Sequence, residues 1–256
     1  DGGWSGEDVN VTGAWDTATG NGVTIAIVDD GLDHGHEDLS GNYLSAHSWD
    51  YCNGDSDPSP DWSGDGHGTS AAGVAAAIGN NGIGVSGGAL DANLVGLTLI
   101  ACSPSDSTES SALGHDKQDI DIYSNSWGPS DSVTTPDDAG PLMHAEFEDD
   151  AINGRSGLGN IITWAAGNGL SSDDDSNLDG YANSRYTIAV TAVHDQGSQS
   201  WYAEPGANIL VAAPSDGRDG IYTTDIEGNW GYSNGDYNSD FGGTSSATPL
   251  ASGVIA

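Results

Sequence analysis

The chain has 256 residues, which is enough for one large α/β domain with a substantial buried core. Its 39 acidic residues outnumber 4 basic ones and give a formal net charge of −35, so nucleic acid is a poor partner because phosphate contacts require Lys and Arg. No apolar run approaches the roughly 18 residues that span a bilayer, so a membrane partner is not expected either. The charge favours cationic substrates and divalent metals, although a solvated surface adapted to salt or secretion is the simpler source of most of it.

Apolar and β-branched runs alternate with segments of helical character along the chain. Strands are predicted over 23–28, 93–100, 121–127, 160–166 and 186–193. Helices are predicted over 67–79, about 107–116 and about 141–153. This order favours an α/β fold with a doubly wound, mainly parallel sheet and helices on both faces. In such a sheet the ligand site lies beyond the carboxyl ends of the strands.

Three polar residues stand at the ends of these predicted elements. Asp29 follows strand 23–28 directly, His67 opens a helix in GDGHGTSAAG, and Ser245 opens another in FGGTSSATPL. A serine hydroxyl becomes a nucleophile when an imidazole accepts its proton, and a carboxylate fixes the tautomer of that imidazole. The combination therefore predicts a Ser-His-Asp triad.

Taken singly, these segments have simpler interpretations. An Asp after a strand is typical of a turn, a Gly-flanked His of a loop or a metal ligand, and GTS before a helix of an N-cap. The glycines beside His67 and Ser245 favour catalysis, since they let a substrate backbone approach closely. Pro249 is expected near the first turn of the last helix, where its missing N–H costs little.

Motifs along nearly the whole chain resemble one protease family. They are IAIVDDGLDHGHEDL, GDGHGTSAAGVAAAIGNNGIGVSG, YSNSWGPSD, GRSGLGNIITWAAGNG, DGYANSRYTIAV, WYAEPG and GGTSSATPLASGVIA. The chain resembles the subtilisin-like serine proteases, and more closely their kexin- and furin-like branch. The resemblance implies a triad of Asp29, His67 and Ser245 and the hydrolysis of peptide bonds. It also implies an oxyanion hole formed by the Asn168 amide and the Ser245 N–H, whereas the Asn168-Gly169 pair alone indicates only a turn.

The same resemblance implies carboxylates in the substrate subsites. Asp131 and Asp179 match the pair that binds a basic P1 side chain, and Asp30 matches a residue beside P2. Glu109 falls at the spacing of a further acidic subsite. In a chain with 39 acidic residues, solvated carboxylates at some of these positions are also expected by chance.

Three structural Ca²⁺ sites are implied in the same way, and oxygen ligands suit that ion. The first consists of Asp38, Ile78, Asn81, Ile83 and Val85. The second consists of Asp50, Asp55 and Asp57. The third, close to the P1 pocket, consists of Asp131, Asp174 and Glu204. Acid-rich loops without metal are the competing interpretation in so acidic a chain.

Cys52 and Cys102 can form one disulfide or remain two thiols, and their spacing does not decide between these states. We expect residues 1–256 to be a subtilisin-like catalytic domain that is incomplete at both ends and lacks a following β-sandwich domain. A secreted protein is expected, matured with a propeptide or a chaperone.

The main functional hypothesis is a calcium-stabilised endopeptidase that cleaves protein or peptide substrates after basic residues, most often after a dibasic pair. A subtilisin-like protease of broad specificity is the first alternative. A catalytically silent, acidic calcium-binding domain is the second.

Overall fold

The fold is described here from a computed structural model, for residues 4–131 and 136–256. The strands are β1 (Thr24–Asp29), β2 (Trp49–Asp50), β3 (Asn93–Thr98), β4 (Ile122–Asn125), β5 (Ile161–Ala165), β6 (Ile188–Val193), β7 (Ile209–Pro214), β8 (Ile221–Thr224) and β9 (Tyr237–Phe241). The α-helices are α1 (His67–Ala76), α2 (Asp106–Leu113), α3 (Pro141–Gly157) and α4 (Thr244–Ile255). Short 3₁₀ helices cover Val11–Asp16, Ser45–His47, Leu170–Ser172 and Ser176–Leu178.

The main sheet has seven strands in the order β2-β3-β1-β4-β5-β6-β7, and every neighbouring pair is parallel. Strands β8 and β9 form a separate antiparallel pair. The predicted doubly wound α/β fold is therefore confirmed, and all five predicted strands occur in the sheet. The prediction did not include the two-residue strand β2, strand β7 or the β8–β9 pair. Strand β7 exposes Leu210 and Val211 at the sheet edge, and β9 is mostly polar, so neither shows the pattern of a buried strand.

Both faces of the sheet are covered, which explains the continuous burial of β1. Ala26 and Val28 pack with side chains of α2 and α3, whereas Ile25 and Ile27 pack with the small side chains of α1 on the other face. Helix α4 packs beside α1 and places Ala247 and Ala251 against β6. Successive side chains of a strand point to opposite faces, so one six-residue strand supports both layers.

Two predicted helix ends and the predicted position of Pro249 needed correction. Helix α1 ends at Ala76 because Ala77 adopts an extended conformation. Helix α2 ends at Leu113 rather than near residue 116, whereas α3 loses helical geometry from Gly154, in agreement with its predicted end near residue 153. Pro249 lies inside α4 rather than in its first turn. A proline there cannot donate to the Ser245 carbonyl four residues earlier, and that carbonyl instead accepts the Ser126 hydroxyl at 3.0 Å.

Cys52 and Cys102 form a disulfide, with Cα atoms 5.7 Å apart. The bridge joins the loop after β2 to the loop after β3, neighbouring strands that end at the same edge of the sheet. Of the two states that the sequence leaves open, the structure contains the bridge.

We expect the double substitution Cys52→Ala and Cys102→Ala to lower the free energy of unfolding by about 2–4 kcal/mol, because it frees a loop of the unfolded chain. Urea unfolding of the variant and the oxidised wild type measures this difference. Equal midpoints and slopes would contradict a stabilising bridge.

Candidate active site

The parallel strands bring distant polar residues to one edge of the sheet. Asp29 ends β1, next to the ends of β3 and β4, and His67 is the first residue of α1. The imidazole Nδ1 lies 2.9 Å from Asp29 Oδ1 and 3.0 Å from Asp29 Oδ2. Asp29 is buried, and its carboxylate fixes the tautomer and orientation of the ring.

The surroundings of His67 favour its charged form. Burial of the ring disfavours protonation, but the charge and hydrogen bond of Asp29, helped by the charge of Asp30, outweigh burial and raise the pKa of His67. An imidazole in this position is able to hold a proton that it has taken from a neighbouring hydroxyl.

Ser245 lies in the first turn of α4 and exchanges two hydrogen bonds with Ser126. The Ser245 hydroxyl donates to the Ser126 carbonyl at 3.4 Å, and the Ser126 hydroxyl donates to the Ser245 carbonyl. Within the described ranges, no hydrogen bond joins the Ser245 hydroxyl to His67. A hydroxyl rotates freely, and catalytic hydrogen bonds often form only when substrate binds.

The side chain of Asn168 is held by its oxygen. Asn168 Oδ1 accepts the N–H of Thr244 at 2.8 Å and the Thr244 hydroxyl at 3.0 Å. The residue is exposed, and its oxygen makes both of these contacts with α4. Asn168 and Ser245 line the same cavity, and the Ser245 N–H, like the other first N–H groups of a helix, has no partner within α4.

An acidic cavity of about 120 Å³ opens beside Ser245. Ser126, Asn168 and Ser245 line it together with six carboxylates and no Lys or Arg. The carboxylates belong to Asp131, Asp137, Asp174, Asp175, Asp179 and Glu204. Asp131, Asp174, Asp179 and Glu204 were predicted from the sequence, whereas Asp137 was missed because PDDAGP carries only the signal of a loop.

Burial raises the pKa values of two of these carboxylates. It raises the pKa of Asp179 to about 6, with smaller contributions from the charges of Asp137 and Asp131. It raises the pKa of Glu204 to about 7, with contributions from Asp174, Asp131 and Asp179. A cation in this cavity would relieve both effects, because it offsets desolvation and the repulsion between like charges.

Glu109 lies in a neighbouring cavity of about 310 Å³, which shares Trp127, Gly128, Pro129 and Asp137 with the first. Its carboxylate accepts the Tyr181 hydroxyl at 2.9 Å, and burial raises its pKa. Asp137 thus faces both cavities. Asp30 is not among the residues that line either cavity, and its carboxylate lies against the first residues of α1.

The predicted third metal group is brought together. Asp131, Asp174 and Glu204 each offer an oxygen within 4.8 Å of the other two. Gly169 lies between them: a Cβ there would approach Asp174 and Asp131 within 2.8 Å and Glu204 Oε1 at 2.9 Å. The Gly169 N–H also donates to Glu204 Oε1 at 2.8 Å. The donor set and its spacing fit a hard divalent cation.

The loop of the predicted first metal site wraps around Asp38. Val85 N–H and the Asn81 amide donate to the buried Asp38 carboxylate, and Ile78 N–H donates to its backbone carbonyl. The Ile83 N–H donates to Asn81 Oδ1. Asn81 and Val85 thus bind the Asp38 carboxylate directly, whereas Ile78 and Ile83 are held nearby through main-chain hydrogen bonds.

The predicted second metal group is not brought together. Among residues 4–131 and 136–256, Asp131, Asp174 and Glu204 are the one cluster of three such side chains with metal-site spacing. The carboxylates of the predicted second group instead make separate local contacts. Asp50 accepts N–H groups of Cys52 and Asn53, and Asp57 pairs with His34 at 3.3 Å. Asp55 accepts the Asp57 N–H.

Comparison with known proteins identifies the family. Residues 20–256 match the model of the Subtilase family. The chain belongs to the subtilase family. This is the class of subtilisin-like serine endopeptidases, as the resemblance implied.

Across the described residues, no helix combines the length and apolar character needed to cross a membrane.

Subtilases of the furin and kexin type are among the similar proteins. Furin of Homo sapiens is 38% identical over 256 residues, which cover 97% of this chain and 31% of furin. A dibasic-processing endoprotease of Yarrowia lipolytica is 40% identical over 255 residues, 98% of this chain and 26% of that protein. The chain thus spans less than a third of the length of either relative.

Among solved structures, the Aeromonas sobria serine protease, in complex with its chaperone, aligns with a TM-score of 0.84 and 29% identity. The alignment covers 92% of this chain and 47% of that one. Sphericase aligns with a TM-score of 0.72 and 23% identity, over 97% of this chain and 82% of that one, and this likeness concerns the fold.

Gly68 provides a test of how closely α1 approaches β1. A Cβ at Gly68 would lie 2.2 Å from the Gly31 carbonyl oxygen and 2.8 Å from Asp29 Cβ. We expect Gly68→Ala to push α1 away from Asp29 and to lower kcat by about 100-fold, the usual result of a displacement near 1 Å at reacting groups. Gly64→Ala, which meets no atom within 4 Å, is the control. Equal activity of the two variants would contradict the close approach.

Proposed function

We propose that this chain acts as the catalytic domain of a secreted serine endopeptidase that cleaves after basic residues and is stabilised by Ca²⁺. One observation supports a basic residue at the cleavage site: among the described residues, a cavity with six carboxylates and no cationic side chain opens directly beside Ser245. A lysine or arginine side chain supplies the charge that this cavity lacks. Charge-assisted hydrogen bonds to a partly desolvated carboxylate are stronger than neutral ones.

The proposed reaction uses the triad in two steps. His67 accepts the proton of the Ser245 hydroxyl as the Ser245 oxygen attacks the peptide carbonyl carbon, and Asp29 stabilises the resulting imidazolium. The Asn168 NH₂ and the Ser245 N–H donate to the carbonyl oxygen as it gains negative charge. His67 then protonates the leaving amine. In the second step His67 activates a water molecule, which releases the acyl group from Ser245.

One relative supports a preference for paired basic residues, since the Yarrowia lipolytica protein is a dibasic-processing endoprotease. In this chain Asp131 and Asp179 are the proposed P1 partners, and Asp30 is the proposed acidic neighbour of P2. Glu109 and Asp137, which line the second cavity, offer a further acidic subsite.

Asp131, Asp174 and Glu204 are the proposed Ca²⁺ ligands beside the P1 cavity. The ion would neutralise carboxylates that otherwise repel one another and would hold the loops that carry them. The Asp38 loop with Ile78, Asn81, Ile83 and Val85 is a second proposed site. A maturation chaperone is a proposed partner, because the Aeromonas sobria protease was solved with one.

Peptides that differ only at P1 test the proposed specificity. We expect wild-type kcat/KM to be far higher for Arg than for norleucine at P1, and Asp179→Asn to reduce this ratio by about 10–100-fold through loss of one charged hydrogen bond. The preference should also weaken as pH falls through about 6, since Asp179 then becomes protonated. Asp138→Asn, at an exposed carboxylate outside the cavity lining, is the control. A wild type that cleaves both peptides equally would instead indicate broad specificity.

Thermal unfolding with and without Ca²⁺ tests the metal site. A cation at 100 times its Kd stabilises a folded protein by about 2.7 kcal/mol, so we expect added Ca²⁺ to raise Tm. Glu204→Gln should reduce that rise. Asp175→Asn removes a charge from the same cavity but lies outside the three-carboxylate cluster, and it should keep the rise. An identical rise in both variants would exclude Glu204 as a ligand.

A further inference from the structure

The helix that carries His67 begins without a capping side chain of its own. Helix α1 starts at His67, and its N-cap residue, Gly66, has no side chain to accept a hydrogen bond. The first N–H groups of any helix lack partners within the helix, and leaving them unpaired in a buried setting is costly. In this helix the first N–H belongs to the proposed general base.

Asp30 supplies the missing acceptors from 37 positions earlier in the chain. Its Oδ2 accepts the backbone N–H of His67 at 3.2 Å, and its Oδ1 accepts that of Gly68 at 2.8 Å. The residue is 9% exposed, and a carboxylate at a helix N-terminus also interacts favourably with the helix dipole. Both Asp30 oxygens are therefore engaged by the helix.

Two consecutive residues thus hold His67 from two sides. Asp29 binds the imidazole through Nδ1, and Asp30 binds the main-chain N–H of the same residue. Since Asp29 and Asp30 are adjacent at the end of β1, any shift of α1 along the strand breaks both sets of bonds. We propose that Asp30 is a positioning residue that fixes the backbone of His67 relative to Asp29, independently of any contact with substrate.

This inference rests on the proposed protease function and extends it. A basic P2 side chain would meet a carboxylate whose hydrogen bonds are already used by α1, so it would gain mainly from the charge. The groups that face Asp30 are Asp29, His67 and Tyr232: Asp29 and Asp30 both favour the imidazolium, and the charge of Asp30 contributes to the raised pKa of Tyr232, after burial.

The test uses peptides with Arg at P1 and Ala at P2, so that no P2 charge is present. We expect Asp30→Ala to lower kcat by about tenfold or more with KM within about threefold, because the general base is displaced while the P1 cavity is intact. Asp30→Asn should recover part of kcat, since its single amide oxygen still accepts one of the two N–H groups and Asn stabilises helix N-termini about as well as Asp. Both variants should shift the acid limb of the pH profile of kcat/KM to lower pH, because the imidazolium loses a stabilising charge.

Asp65→Asn is the matched control. It removes a charge two residues from His67, and the Asp65 carboxylate accepts the Trp62 N–H rather than an N–H of α1. We expect wild-type kcat and an unchanged pH midpoint on these peptides. If Asp30→Ala keeps wild-type kcat with Ala at P2 and loses activity only with a basic P2, Asp30 is a subsite residue and the inference is wrong.

Two further outcomes are also decisive. If Asp30→Ala does not fold, Asp30→Asn still tests the inference: a kcat reduced as far as that of a variant lacking His67 would overturn it. A wild type that hydrolyses no peptide at any pH would refute the proposed function itself. An active wild type with an equally active Asp30→Ala would refute only the inference about Asp30.

Discussion

The hydrogen bond between Asp29 and His67 is the contact on which the rest of the site depends. It joins the end of a buried parallel strand to the first residue of a helix, and it forms only because Gly68 lets α1 lie against β1 without a Cβ between them. The core packing of β1 on both faces fixes one partner, and α1 fixes the other. Catalytic geometry here is thus a consequence of how the sheet and the helix pack.

The same edge of the sheet concentrates negative charge. Carboxylates from the loops after β4, β5 and β6 share one small cavity, where burial and mutual repulsion raise the pKa values of Asp179 and Glu204. Such an arrangement is unfavourable without a cation, and two cations are proposed to relieve it, a basic substrate side chain and a structural Ca²⁺. Substrate specificity and calcium stabilisation would then depend on the same cluster of carboxylates. Asp131 illustrates this, because it is both a proposed P1 partner and a proposed Ca²⁺ ligand.

Residue type and strand order were enough to predict which residues lie at this edge of the sheet. Asp29 after a buried strand and His67 at a helix start follow from local pattern and parallel topology, and the motifs located Asp131, Asp174, Asp179 and Glu204. Contacts between distant segments were beyond such patterns: the Cys52–Cys102 bridge, the role of Asp137 in two cavities, and the capping of α1 by Asp30. The spacing of Asp50, Asp55 and Asp57 suggested a metal site, but each carboxylate has a separate local partner. N–H groups donate to Asp50 and Asp55, and His34 pairs with Asp57.

In the proposed mechanism, His67 activates the Ser245 hydroxyl. A peptidyl phosphonate with a basic P1 group forms a bond to an activated serine oxygen, and mass spectrometry of the digested adduct locates that bond. We expect a single modified residue, Ser245, in the wild type and a strongly reduced rate of modification in His67→Ala. Modification of another residue, or an equal rate without the imidazole, would contradict it.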